Sequence, residues 1–256
     1  MSQPPLKIPF SQRREREFLY LFEVDAVIAA LSQTRSPIRN QALALLLFCQ
    51  ALQPIELCWL RWCDVNFAEK TLLVTRNRSK STRYQPQQIV VNLQLLCFRE
   101  IDIMQQLQEQ RTTDWVFASE RRKRLSQRSL HYIIQHAGAL AKLPLTIHPY
   151  MLRRSGLFYR SALKMQSAGL SLRQSCLLWN WLGTKAKFSP QESQEYLALS
   201  QLQDEAFLAA LKQLQLFTGI QEYENLIDYL LGAYSLFPRL QGIPADYWLT
   251  PPGWCI

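Results

Sequence analysis

The residues His148-Pro149-Tyr150-Met151-Leu152-Arg153-Arg154-Ser155 combine types and spacing that suit chemistry on a phosphate. A proline heading an apolar run starts a helix, because the N–H it lacks is one the first turn leaves unpaired anyway. Met151, Leu152 and Leu157 supply a buried stripe, and Arg153, one turn in, is expected on the opposite side. A guanidinium held by a helix is a rigid fork of donors matched to phosphate oxygens. Taken alone, an arginine so placed is more often a solvated residue on an exposed face, so the charge elsewhere decides. His148 itself reads as a satisfied histidine at a helix start.

That charge is high and uneven. The 256-residue chain carries a net +9, with 27 basic against 14 acidic residues before Leu197 and 2 against 6 after it. Two further basic segments stand out: Arg76, Arg78, Lys80 and Arg83 in one, and Arg121, Arg122, Lys123, Arg124 and Arg128 in the other. A basic body with an acidic tail points to a polyanion, and to double-stranded DNA before a membrane. Each run singly could be a solvated loop; three around one fold favour phosphate contact. Six scattered cysteines without a C-x-x-C pair, and only three histidines, argue against a zinc site. They read as thiols of a reducing, cytoplasmic compartment. The longest apolar run, Ala42–Cys49, is far too short to span a bilayer. No phosphate-cradling glycine loop or carboxylate cluster calls for a nucleotide, metal or other cofactor.

The elements that must position these residues follow from periodicity. Residues 1–18 read as a flexible basic leader. Helices are expected over Glu23–Ser32, from Pro37 to about Gln50, and over Ile55–Leu60. A β-branched strand, Thr71–Thr75, leads through a basic polar loop at 76–86 to a return strand at Gln88–Asn92. Helix Leu93–Gln110, a short buried strand Trp115–Phe117, a basic turn and helix Gln127–Leu143 precede the Arg153 helix. Leu172–Leu182, a segment starting at Pro190, Leu197–Phe217 and Tyr223–Leu236 complete the helices, and residues 237–256 are irregular and rich in Pro and Trp. The fold class is mainly α with a small antiparallel β-sheet.

The order of five blocks resembles the catalytic domain of the tyrosine recombinases, the phage-integrase family, over roughly residues 18–200. The blocks are Ile55-Glu56-Leu57-Cys58-Trp59-Leu60-Arg61-Trp62-Cys63-Asp64-Val65, Val116-Phe117-Ala118-Ser119-Glu120-Arg121 with Leu125-Ser126, Ile147–Arg153, Trp181-Leu182-Gly183-Thr184, and Ser189–Tyr196. The resemblance implies a leader at 1–18, a DNA-binding and catalytic domain at 19–200 and a helical extension at 201–256. The short leader is similar to the fimbrial-switch kind. The acidic, apolar extension is expected to fold back on the body, the alternative being a seat on a neighbouring protomer in a homo-oligomer on DNA.

The chemistry that the resemblance implies is attack by a tyrosine hydroxyl on a DNA phosphodiester, giving a 3′-phosphotyrosyl link and a free 5′-hydroxyl. Two arginines clamp the non-bridging oxygens, histidines or a tryptophan add hydrogen bonds, and a lysine protonates the leaving oxygen. Carried onto this chain, Tyr196 falls on the nucleophile, Arg153 on the second arginine and Lys80 near the general acid, with Arg78 or Arg83 as alternatives. Tyr196 reads nearly as well as a half-buried aromatic on an amphipathic helix. The departures are Gln53 at the first arginine, Tyr150 at the box histidine and Thr184 at the later histidine. Losing one preorganised donor typically costs about 10²–10³ in rate, so strand cleavage is expected to be weak or absent. Two functions of different class stand: a site-specific recombinase whose altered site still works, and a recombinase-derived DNA-binding regulator or architectural protein. An unrelated helical interaction protein would show no salt-dependent DNA binding.

Overall fold

A single central helix organises the packing. A computed structural model describes residues 16–77, 89–167, 209–220 and 226 of the chain. Helix α1 (Leu21–Leu31) starts where the Glu23 carboxylate accepts the Tyr20 N–H at 2.8 Å, and buries Leu21, Val24, Val27 and Leu31. Helix α2 (Pro37–Cys49) has proline in its first turn and buries every residue from Ala42 to Cys49. A helical stretch apolar all round, as Ala42–Cys49 is, sits inside, and α2 packs against α1 and the later helices α4 (Phe98–Glu109), α5 (Gln127–Leu140) and α6 (Pro149–Ser167). Helix α3 (Pro54–Trp59) is short, with Gln53 as its N-cap and Glu56 accepting the Gln53 N–H at 2.7 Å.

A three-stranded antiparallel sheet follows in the order β1 (Val65–Asn66), β2 (Thr71–Asn77), β3 (Ile89–Leu95). Its register pairs Leu72 with Gln94, Val74 with Asn92 and Arg76 with Val90. The two-residue period puts Leu72, Val74 and Arg76 on the buried face of β2 and Leu73 and Thr75 outside. Helix α6 (Pro149–Ser167) closes the body against α2 and α5. Residues 209–218 form a further helix whose Leu211 and Leu214 join the core. The expectation of a mainly α chain with a small antiparallel sheet holds.

Four expectations are corrected. The 93–110 helix begins only at Phe98, since Leu93, Gln94 and Leu95 pair with β2, and the Glu100 carboxylate caps the Cys97 N–H at 2.8 Å. Trp115–Phe117 is not a strand: it makes an isolated bridge, Trp115 to Arg61, with the Val116 N–H donating to the Leu60 carbonyl at 3.0 Å. Three residues against one short partner cannot build a ladder. The leader does not extend through residue 18, because Phe18 is fully buried and Arg16 and Glu17 are fastened to the body. Arg16 donates to Glu23 at 2.7 Å and lies 4.2 Å over the Tyr20 ring. Lastly, α5 ends at Leu140, three residues early, as the chain turns through a left-handed Lys142 (φ 54°). The elements expected at 172–182, 190 onward and 237–256 lie outside the described residues, as do nearly all of 223–236.

Candidate active site and nucleic-acid interface

Helix α6 carries the charged residues of the site into the interior. Arg153 is 3 % exposed and Arg154 7 %, with Met151, Leu152, Ser155 and Leu157 beside them. The burial extends beyond the apolar stripe: α6 is enclosed from Met151 to Tyr159, so Arg153 stands on no solvent-exposed face. Ser155 shows why. Its hydroxyl accepts the Leu19 N–H at 2.7 Å and donates to the Met151 carbonyl at 2.8 Å, so the chain entering α1 is strapped across α6. On another side lies the C-terminal end of the 209–218 helix, where the Thr218 carbonyl accepts from Arg153 Nη2 at 3.4 Å. Arg154, expected on the DNA surface, is likewise withdrawn from solvent.

Arg76 is also inside, not in the basic loop where the sequence put it. It is the third inward residue of β2, 4 % exposed, with its Nε 3.7 Å from Glu56 Oε1. Burial pushes its pKa down to about 10 against the pull of Glu56, and the like charge of Arg153 pushes the same way. Glu56 thus does two jobs: one carboxylate caps α3 at Gln53 and neutralises Arg76. Gln53, Glu56, Arg76 and Arg153 form one cluster. Reading the sequence missed Glu56 and the inward course of Arg76; the alternation Leu72, Val74, Arg76 was the available signal.

Arg160, one helical stretch beyond Arg153, was missed as well. Its Nη2 donates to the Cys49 carbonyl at 2.8 Å, where α2 ends, and its guanidinium lies 3.8 Å over the Phe217 ring. Burial lowers its pKa, against the pull of Glu100. His148 behaves as expected of a satisfied helix-start histidine: its Nε2 is 3.0 Å from a Glu17 oxygen in a buried pair. Tyr150, where the family has a histidine, projects from the first turn of α6 and is 42 % exposed.

The second basic segment forms a tight turn. Arg122 takes a left-handed conformation (φ 55°), the Ser119 N–H donates to the Lys123 carbonyl at 2.7 Å, and Leu125 plugs the turn into the core. Arg121, Arg122 and Lys123 are left exposed, as is Arg128 on the first turn of α5. Arg124 instead lies 3.9 Å over the ring of Trp59, and Arg61 lies 4.6 Å over Trp115. Trp59 is on α3, so the basic turn and the Gln53–Glu56 cap share one short helix. Tyr196, Lys80, Arg78, Arg83 and Thr184 lie outside the described residues. Among the described residues, one set of side chains could hold a metal ion, Cys49, Cys97 and Glu100, away from this cluster at the junction of α2 and α4. No helix among them is long and apolar enough to cross a membrane.

Residues 17–174, well over half of the chain, match the phage integrase family, and the chain belongs to that family. It is 27 % identical over 145 residues to the type 1 fimbriae regulatory protein FimB of Escherichia coli K12, covering 57 % of this chain and 71 % of that protein. It is 31 % identical over 159 residues to the tyrosine recombinase XerC of Bacillus pumilus, covering 59 % of this chain and 50 % of that one. The chain therefore spans about half the length of that recombinase. In fold it is similar to the crystal structure of XerA recombinase, with a TM-score of 0.55 at 15 % identity over 89 % of this chain and 66 % of the other. The Tn1549 transposon integrase, solved with transposon right end DNA, gives 0.55 at 12 % identity over 90 % of this chain and 68 % of that one. The architecture is the tyrosine recombinase fold.

Proposed function

We propose that the chain binds duplex DNA as a recombinase does, holding a backbone phosphate at Arg153, and that Tyr196 is the group poised to attack it. The observation that carries this reading is the burial of Arg153 beside a second guanidinium, on the helix that begins with the His148–Arg153 box. Desolvated cations repel one another and cost free energy, so a fold keeps a pair of them together where an anion is to be received. The exposed Arg121, Arg122, Lys123 and Arg128 supply sequence-independent contacts along the duplex. The relative XerC, a tyrosine recombinase, supports the DNA reading.

In the reaction, the Tyr196 hydroxyl oxygen bonds to phosphorus as the bond to the 5′-oxygen breaks. The tyrosine proton passes to a base, and Lys80 gives a proton to the leaving oxygen. An ordinary tyrosine, with a pKa near ~10, attacks only where the phosphate's charge is neutralised. Gln53 offers a neutral amide where the family has a cation, and Tyr150 replaces a histidine; these two positions favour the second reading, a DNA-binding regulator that has lost strand cleavage. Capture of fragmented genomic DNA by the purified chain, washed gently or under denaturing conditions, with Tyr196→Phe alongside, separates the two. DNA kept through denaturation by the wild type alone means a phosphotyrosyl bond. DNA kept only through the gentle wash, equally by both proteins, means binding without chemistry. No retention in either wash refutes DNA binding.

A further inference from the structure

We propose that Arg76 and Arg153 together form a phosphate-holding site, in which Arg76 on β2 supplies the cation that Gln53 does not. The proposal deepens the DNA reading above and assigns a role to a strand residue.

Three observations converge. Arg76 is 4 % exposed, and none of its Nε, Nη1 and Nη2 atoms has a hydrogen-bond partner among the described residues. A buried guanidinium with five unused donors forgoes both water and protein partners, a cost a fold normally avoids. Among the described residues its countercharge is Glu56, which stands 3.7 Å away, beyond hydrogen-bond reach, and spends its other oxygen on the Gln53 N–H. Glu56 thereby fixes Arg76 beside the backbone of the residue whose side chain has lost its charge. The β2 register then aims Arg76 inward with Leu72 and Val74, toward the body from which Arg153 projects.

The third observation is what covers the two arginines. The main chain at 217–219 crosses them with its carbonyls engaged: Phe217 O accepts from Gln94 Nε2 at 3.0 Å, and Thr218 O accepts from Arg153 at 3.4 Å. Gly219, at φ +69°, lies so close that an added Cβ would stand 2.5 Å from Arg76 Cδ and 2.7 Å from Nη1. A carbonyl oxygen at 3.4 Å is a weak substitute for an anionic oxygen, which such donors draw to about 2.8 Å. In this structure the Thr218–Gly219 backbone occupies the place that a phosphodiester would take.

The test titrates inorganic phosphate into the full chain at fixed ionic strength and reads the rise in unfolding temperature. Wild type, Arg76→Met, Arg76→Lys, the charge-neutral pair Glu56→Gln with Arg76→Met, and Arg111→Met at the exposed Asp114 pair are compared. Saturable stabilisation is expected in wild type and Arg111→Met. Phosphate affinity is expected to fall at least tenfold in both Met-containing Arg76 variants, and Arg76→Lys is expected to recover part of it. A purely structural Arg76 would change the starting temperature and leave the phosphate increment intact, and the neutral pair removes the folding penalty of an orphaned Glu56. Equal increments in wild type and the Arg76→Met proteins, or none in wild type, would overturn the proposal. A 30-base-pair duplex of arbitrary sequence, bound in parallel, tests the DNA reading separately: duplex binding without a phosphate increment sinks the site alone.

Discussion

Gly156 is where the positioning of the site is most exposed to a single carbon atom. A Cβ built there would stand 1.7 Å from the Phe48 carbonyl oxygen and 2.6 Å from its carbon, both main-chain atoms of α2. No rotamer relieves a backbone clash, so α6 must move about 1.7 Å from α2 to reach ordinary contact, and gaps of that size forfeit much of the dispersion across an interface. The same interface carries the Arg160–Cys49 hydrogen bond of 2.8 Å and the Phe48–Tyr159 ring contact of 6.1 Å. A charged hydrogen bond is worth about 1.5–3 kcal/mol and overpacking costs about 1–3 kcal/mol. Alanine returns about 1 kcal/mol of helix propensity. Gly156→Ala is therefore expected to lose about 1.5–5 kcal/mol, a fall of roughly 3–20 °C at about 2–4 °C per kcal/mol for a chain of this size. Differential scanning calorimetry gives the number. An unchanged or higher melting temperature would refute the close α2–α6 approach, and with it the burial that aims Arg153.

Two further expectations concern the surface turn and a thiol. Arg121→Ala, Arg122→Ala and Lys123→Ala are each expected to flatten the salt dependence of duplex binding by about one counterion, with little effect on melting; three unchanged slopes would remove the turn from the interface. Cys97, the N-cap of α4, has its pKa lowered to about 6, chiefly because the buried Cys49 thiol donates to it. Since the folded thiol ionises more readily than its ordinary value of 9.0, its contribution to stability is complete above that value and is lost as pH falls through about 6. Iodoacetamide labelling followed by mass spectrometry should show Cys97 modified at a rate that is flat above pH 7 and falls about tenfold per unit below 6, as thiolate chemistry requires. Cys49, fully buried with its pKa raised by desolvation, stays unmodified; a Cys97 midpoint above 8 would contradict the hydrogen bond.

Helix positions were legible because apolar periodicity and caps coincide. Pro37, Pro54 and Pro149 each head the helix they announce. The β2–β3 hairpin was legible from its β-branched run, though not its length. Leu93-Gln94-Leu95 fits a strand and a helix start equally well, and pairing with β2 decides the matter; the reach of Glu100 back to Cys97 was the one local clue. Arg76 was illegible for a different reason. In a run of Arg, Asn, Ser and Lys it reads as a solvated loop, and Glu56, twenty positions earlier, gives the arginine cause to turn inward. The same holds for α6, whose apolar stripe predicts one buried face. The strap through Leu19 and the cover at 217–219 come from distant chain and bury the rest.

Phe217 decides how firmly that cover is held, and therefore how available the two arginines are. Its carbonyl is gripped by Gln94 and its ring lies 3.8 Å from the Arg160 guanidinium, so one residue fastens the segment to both β3 and α6. A ligand that needs Arg76 and Arg153 must first displace Thr218 O, and its affinity is reduced by whatever fraction of molecules remain covered. Phe217→Ala keeps the carbonyl and removes the cation–π contact, worth about 0.5–2 kcal/mol. If the cover and phosphate compete for the same donors, that loss reappears as a gain of about 2- to 30-fold in phosphate affinity, at about 1.4 kcal/mol per factor of ten. The expected signature is a melting temperature lower than wild type without phosphate and a larger increment with it. A variant that melts earlier yet takes phosphate no better would mean that the segment at 217–219 braces the fold without guarding the arginines.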